Sequence, residues 1–201
     1  MTVTVLPWPT GAQIVELRYG IDTPSDGGRS GLTRRASFGP MAAELWSGEV
    51  LLASISVAAA EVLAAALHDV DGKVSAFALP LAAGFASHAV ALAGTLAAAT
   101  TRQADRVTLN LSAGPTVEAG TLMAIGALTD DKYQVVEVLQ DFTPGAAVTV
   151  FVSPRIRTVI AGGTAVALGA VTARVRLSSD DVGATREFDH SNIVLPVAEL
   201  V

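Results

Sequence analysis

The chain has 201 residues, a length that suits one large domain or two small ones. Hydrophobic residues make up 51% and charged residues 16%, so the chain can form a core and is not intrinsically disordered. A formal net charge of -6 argues against nucleic-acid binding, which needs Lys and Arg to neutralise phosphates. The absence of cysteine excludes disulfides, thiolate metal sites and a cysteine nucleophile, and suits assembly in a reducing cytoplasm.

The first 52 residues predict three strands. Residues 13–19 alternate between apolar and charged side chains, which is typical of a half-buried strand. Residues 21–31 are rich in Gly, Pro and Asp and predict a long, flexible hairpin loop. Strands are then expected over 32–38 and 42–52, separated by a turn at Gly39-Pro40. Gly48, inside the third strand, is expected to mark a β-bulge.

A helix is predicted over residues 57–70. Ser56 is a suitable N-cap, apolar residues recur at helical spacing from Leu63 to Val70, and Gly72 is placed to end the helix. A short strand follows, in which Phe77 and Leu79 share one face before Pro80 ends it. Residues 1–80 therefore predict a sheet with one flanking helix.

No clear pattern covers residues 81–106, which we expect to form a linker or arm. Residues 74–101 carry no Asp, Glu, Lys or Arg, but they are rich in Ala and divided by Pro80, Gly84 and Gly94. A membrane-spanning helix needs about 20 predominantly apolar residues. Buried or interface-facing chain is the better interpretation of this stretch.

Residues 107–201 predict a second, all-β domain. Val107, Leu109 and Leu111 alternate with polar residues, and further strands are expected over 122–125, 132–139, 147–152, 164–168 and 173–177. Successive strands at intervals of about ten residues are typical of a small barrel or sandwich. In the last of these strands Arg174 and Arg176 are expected to point outward. The apolar tail 191–201 is expected either to close the barrel or to pair with a neighbouring subunit.

The sequence contains no pattern that indicates catalysis. The three histidines are far apart, and Asp130-Asp131 and Asp180-Asp181 are typical turn residues. The segment 27–31 lacks the Lys-Ser/Thr ending of a phosphate-binding loop. We therefore expect no catalytic residue, no cofactor and no metal, and we do not expect an enzyme. Trp8, between two prolines, is expected to anchor the N-terminus on the sheet or to contact a neighbour.

Several segments together resemble the tail proteins of tailed bacteriophages and prophages. They are the opening LPWP, the strand AAELWSGEVLL with its central Trp, and the segment SISVAAAEVLAAALHDVDGKVSAFALPL. Two later segments, EAGTLMAIGALTDDKYQVVEV and VTVFVSPRIRTVIAGGTAVAL, complete the pattern. Its individual marks are Phe77, Leu79, Ala119-Gly120, Tyr133, Val135, Val152, Pro154 and Arg155. The organisation is similar to that of distal tail proteins of the baseplate.

The resemblance implies a structural virion protein without catalysis. The first domain would have a tail-tube-like fold, a β-sandwich or split barrel with one helix, followed by the small β domain. Copies would form a ring, typically a hexamer, at the tail tip, after assembly in the host cytoplasm. The ring would join the tail tube protein to the baseplate hub and carry receptor-binding proteins, with DNA only passing through its lumen and no membrane contact.

The inter-subunit contacts are expected in the hairpin loop and the C-terminal tail, with Trp8 in addition. The residues are Trp8, Asp22, Pro24, Gly28, Arg29, Val194, Leu195, Val197 and Leu200. A second interpretation is a module that binds host-surface carbohydrate, although exposed aromatic residues are scarce after residue 107. The sequence is also compatible with a neck or tail-terminator adaptor that has a similar sandwich, and less well with a wall-degrading hydrolase.

Overall fold

A computed structural model describes residues 5–8, 14–22, 25–29, 36–40, 45–55, 76–81, 91–169, 171–177, 183–186 and 191–199. This part of the chain is mainly β. Its strands are β1 (Val5–Pro7), β2 (Ile14–Asp22), β3 (Ser25–Arg29), β4 (Ala36–Pro40), β5 (Leu45–Ile55), β6 (Ala76–Pro80), β7 (Leu92–Leu96), β8 (Arg106–Leu111), β9 (Leu122–Ile125), β10 (Gln134–Val138), β11 (Val148–Ser153), β12 (Ala165–Leu168), β13 (Thr172–Leu177), β14 (Gly183–Arg186) and β15 (Ser191–Glu199). The predicted helix 57–70 lies outside the described residues. Among the described residues, no helix is long and apolar enough to cross a membrane.

Seven strands form a large sheet in the order β1-β6-β13-β15-β5-β2, with β14 also paired to β15. The pair β1–β6 is parallel, and the other pairs of this sheet are antiparallel. The prediction that Phe77 and Leu79 share a buried face is confirmed, since both side chains are almost fully buried in one hydrophobic cluster. Gly48 is not a bulge, because its pairs with Tyr19 and Val197 continue the regular register on both sides. The register shifts instead near Leu52.

The strands β3 and β4 pair with each other as a separate two-stranded sheet. The prediction that residues 21–31 form a flexible loop is therefore wrong for Ser25–Arg29. The expected turn at Gly39-Pro40 is also wrong, because both residues belong to β4 and pair with Asp26 and Ser25. Glycine and proline weaken a strand, but a partner strand at the right register still supplies backbone hydrogen bonds.

The strands β7 to β12 close into a six-stranded barrel in the order β10-β11-β8-β7-β12-β9. Three consecutive strands, β9, β10 and β11, pair in turn, and β12 returns to lie beside β9, which is a Greek key. The alternation of Val107, Leu109 and Leu111 places all three in the barrel core, as predicted. The linker predicted over 81–106 is wrong for residues 92–96, which form the first barrel strand.

In the chain, the barrel strands β7 to β12 lie between β6 and β13. These two strands pair directly with each other in the large sheet, so the barrel is an insertion in the sequence of the sheet. The predicted all-β domain over 107–201 is therefore wrong at both ends. Its start lies earlier, at Leu92, and the strands from Thr172 onward return to the large sheet. An alternating strand has the same local pattern in either sheet, so its partner depends on contacts with distant segments.

Candidate functional site: assembly surfaces and the sheet–barrel junction

The strands β3 and β4 lie between β2 and β5 in the chain and pair with each other as an antiparallel hairpin. The last pair of β2 and β5 joins Asp22 to Leu45, and the hairpin resumes with Ser25 opposite Pro40. The strand β15 pairs with β5 only from Ser47 onward, so it does not accompany the hairpin. Five residue pairs join β3 to β4, from Ser25 opposite Pro40 to Arg29 opposite Ala36.

The strand β2 forms one border of the large sheet, and in the described part of the chain it pairs with β5 alone. It is nine residues long and contains neither Pro nor Lys, the residues that commonly protect a sheet edge. The opposite border, β1, is three residues long and ends in Pro7. The two borders therefore differ in their capacity to accept another strand.

Three of the contact residues predicted in the hairpin loop lie in two described strands. Asp22 ends β2, while Gly28 and Arg29 lie in β3 opposite Ser37 and Ala36. Pro24 and Leu200, also predicted as contacts, lie outside the described residues.

The C-terminal tail is an interior strand of the large sheet. On one edge β15 pairs with β5 over most of its length, and on its other edge with β13 and β14. Leu195 and Val197 are 1% and 6% exposed in the sheet core, and Val194 is half-buried. The prediction that this tail closes the barrel is therefore wrong, and because both edges of β15 pair within the chain, it offers no free edge for strand addition. A contact of the tail with a neighbouring subunit stays a prediction. Pairing with this tail satisfies the backbone groups along the edges of β5 and β13, which would otherwise be left unpaired.

Trp8 packs on the large sheet. Its side chain is half-buried, and its ring meets that of Phe77 edge-on at a centroid distance of 6.4 Å and an angle of 74°. Edge-to-face aromatic pairs contribute beyond the burial of their area. This geometry supports the interpretation of Trp8 as an anchor of the N-terminal segment.

The barrel and the sheet share one hydrophobic cluster. Along β9, Met123 and Ile125 point into the barrel core, whereas Leu122 and Ala124 belong to the cluster that contains Phe77 of the sheet. All four residues of β9 are buried. The continuous apolar run of this strand is the signal in the sequence that both of its faces are covered.

A buried arginine crosses this junction. Arg174 of β13 is 1% exposed, which corrects the prediction that it points outward. Its Nη1 donates to the backbone oxygen of Asp130 at 2.8 Å and lies 3.5 Å from that of Leu128, both in the β9–β10 connection. Its guanidinium carbon lies 6.0 Å from the ring centroid of Tyr133, whose hydroxyl donates to the carbonyl of Thr172. An alternating strand gives no local sign that one outward position will be covered, so the sequence alone could not identify this contact.

The turn that receives Arg174 is ordered by its own side chains. The backbone N–H of Lys132 donates to Oδ1 of Asp130 at 3.1 Å, which is the turn role predicted for this acid. This hydrogen bond lowers the pKa of Asp130 below its usual value, and a hydrogen bond with Asp131 and the charges of Lys132 and Arg174 act in the same direction. The Asp130 carboxylate thus stabilises the turn conformation in which the backbone carbonyl of Asp130 accepts the hydrogen bond from Arg174.

The described residues also include an open pocket of about 370 Å³ on the barrel, lined by residues 98–101 and 104–108. Two of the lining residues, Asp105 and Arg106, form an ion pair with a distance of 3.2 Å from Nε to Oδ1. Among the described residues, no group of three His, Asp or Glu side chains is placed to hold a metal ion.

No protein-family model matches the chain, and no curated protein matches it significantly.

Proposed function

We propose that this chain is a structural protein of a phage tail tip, which assembles with copies of itself into a ring. The observation that carries the proposal is the hairpin of β3 and β4, which in the described part of the chain pairs only with itself, together with the border strand β2, which pairs there with β5 alone. A two-stranded hairpin is marginally stable alone in water, so a partner surface would stabilise it. The resemblance of the sequence to distal tail proteins supports the same function.

The mechanism of assembly would be strand addition between neighbouring copies. The border β2 and the hairpin of one copy would meet a different surface of the next copy. Such a head-to-tail interface closes into a ring when the rotation between copies divides a full turn. The weakly protected border β2 and the short border β1 with its Pro7 would allow pairing at one side of the sheet and limit it at the other.

In this proposal the large sheet has a tail-tube-like fold, and the segment 57–70 is its flanking helix. The ring joins the tail tube to the hub and the receptor-binding apparatus, and DNA passes through its lumen. A net charge of -6 suits this role, because acidic groups that face the lumen would repel the passing duplex.

The test compares the oligomeric state of the intact chain with that of a variant without the hairpin. Because Asp22 and Leu45 are directly paired, residues 23–44 can be replaced by Asn-Gly, which favours a two-residue turn. Light scattering and negative-stain images should show hollow rings for the intact chain and a folded monomer for the variant. A variant with Arg102→Ala on the exposed barrel surface is the control and should form rings. A monodisperse monomer of the intact chain, or rings of the shortened variant, would contradict the proposal.

A further inference from the structure

The pocket on the barrel lies in the connection between β7 and β8 and in the first half of β8. Its shape is held by the backbone of the connection itself. The N–H of Ala97 donates to the carbonyl of Thr108 at 2.7 Å, and that of Gln103 to the carbonyl of Ile156 at 2.7 Å. Thr100 adds a third hydrogen bond, in which its Oγ1 accepts from the backbone N–H of Ile160 at 2.9 Å. A pocket formed in advance needs little ordering when a ligand binds.

The lining combines small apolar groups with polar groups of both kinds. The lining residues include Ala98, Ala99 and Ala104, whose side chains are methyl groups, and Thr101 and Thr108, whose side chains carry hydroxyls. Asp105 supplies a carboxylate acceptor and Arg106 a set of donors, with 55% and 61% of their side chains exposed. One short lining therefore contains hydrogen-bond donors, acceptors and methyl-bearing residues, the combination that a ligand with both hydroxyls and C–H faces requires.

Arg106, one of the lining residues, makes two contacts that orient its side chain. Its guanidinium carbon lies 5.5 Å from the ring centroid of Phe151 on the neighbouring strand β11, and its Nε contacts Asp105. The arrangement keeps Arg106 oriented, since a cation above an aromatic face is favoured. The two opposite charges neutralise each other, so a charged ligand would have to separate them, whereas a neutral hydroxyl-rich ligand can bond to both.

We infer that this pocket binds a neutral saccharide, through hydrogen bonds of Asp105 and Arg106 to its hydroxyls and contact of its ring with the alanine methyls. The volume of about 370 Å³ lies at the lower end of the range of small-molecule pockets, which suits the end of a glycan. Tyr133 is buried at the sheet–barrel junction and does not contribute to such a site. The inference is independent of ring formation, because the hairpin and β2 contribute no residue to the pocket.

The test is ligand-observed NMR by saturation transfer on the intact chain. The probes are the methyl glycosides of glucose, galactose, N-acetylglucosamine and rhamnose at millimolar concentration. We expect saturation transfer to at least one probe, and a loss of affinity of about tenfold or more in each of Asp105→Asn and Arg106→Gln. Arg102→Gln is the matched control, since Arg102 is exposed in the same connection but does not line the pocket, and it should bind as the intact chain does.

Two results would overturn the inference. One is the absence of transfer to all four probes up to about 10 mM, a concentration beyond the Kd of weak but specific ligands. The other is binding that Asp105→Asn and Arg106→Gln leave unchanged, which would place the ligand elsewhere. Both side chains are largely exposed, so these variants should retain the fold, and a circular dichroism spectrum checks this. Saccharide binding by the monomer without the hairpin would support the inferred saccharide site even if the intact chain forms no ring.

Discussion

Replacement of Arg174 tests whether one buried side chain couples the barrel to the sheet. The hydrogen bond from Nη1 to the carbonyl of Asp130, at 2.8 Å, is of the charged type that contributes about 1.5–3 kcal/mol. Each buried methylene of the stem adds about 0.8 kcal/mol. Removal of the guanidinium also recovers part of its desolvation cost, which offsets some of this loss. We expect Arg174→Ala to lower the free energy of unfolding by about 3 kcal/mol, and Arg174→Met, which retains the stem, by about 1 kcal/mol.

The assay is urea unfolding followed with two probes. Both tryptophans belong to the sheet side, Trp8 against Phe77 and Trp46 within β5, so fluorescence reports the sheet while circular dichroism reports all strands. The intact chain should show coincident transitions, and Arg174→Ala should separate them because the junction is weakened. Arg176→Ala is the control, since Arg176 lies two residues further along β13 and is not among the buried residues of that strand. A change of less than about 0.5 kcal/mol in Arg174→Ala, with coincident transitions, would refute the reasoning.

Three further predictions follow from the sheet, the barrel and the turn. Deletion of residues 191–201 removes the interior strand β15 and should abolish the cooperative unfolding transition of the sheet seen by tryptophan fluorescence, whereas an unchanged transition after deletion would contradict the placement of β15. In Gly94→Ala a Cβ would lie 2.3 Å from a carbonyl oxygen of β8, so we expect a loss of about 2 kcal/mol or more in urea unfolding, against little change for Gly145→Ala, where the nearest atom is at 3.5 Å. Asp130→Asn should lower the melting temperature at neutral pH. The pKa of Asp130 is lower in the folded state than in the unfolded state, so its ionised carboxylate stabilises the folded protein at a pH above the unfolded-state pKa. The difference from the intact chain should vanish as the pH falls through the folded-state pKa, and a difference that persists in acid would contradict this assignment.

The sequence by itself determined the places of most strands. The alternation over 107–111 and the bounded apolar runs over 122–125 and 164–168 correspond closely to β8, β9 and β12. Such patterns are local, because side chains on a strand alternate between two faces whatever its partner is. The all-apolar run of β9 even contained the sign of burial on both faces, in the barrel core and against the sheet.

The tertiary structure alone decided which strands pair. The weakly patterned segment 92–96 becomes a strand because β8 and β12 offer it edges on both sides. The tail 191–199 enters the middle of the large sheet, and Ser25–Arg29 is a strand because β4 lies opposite. Arg174 is buried because the connection between β9 and β10 covers it. Each of these outcomes depends on segments far apart in the chain, whose contacts form only when the sheet and the barrel close, so no local pattern contains them.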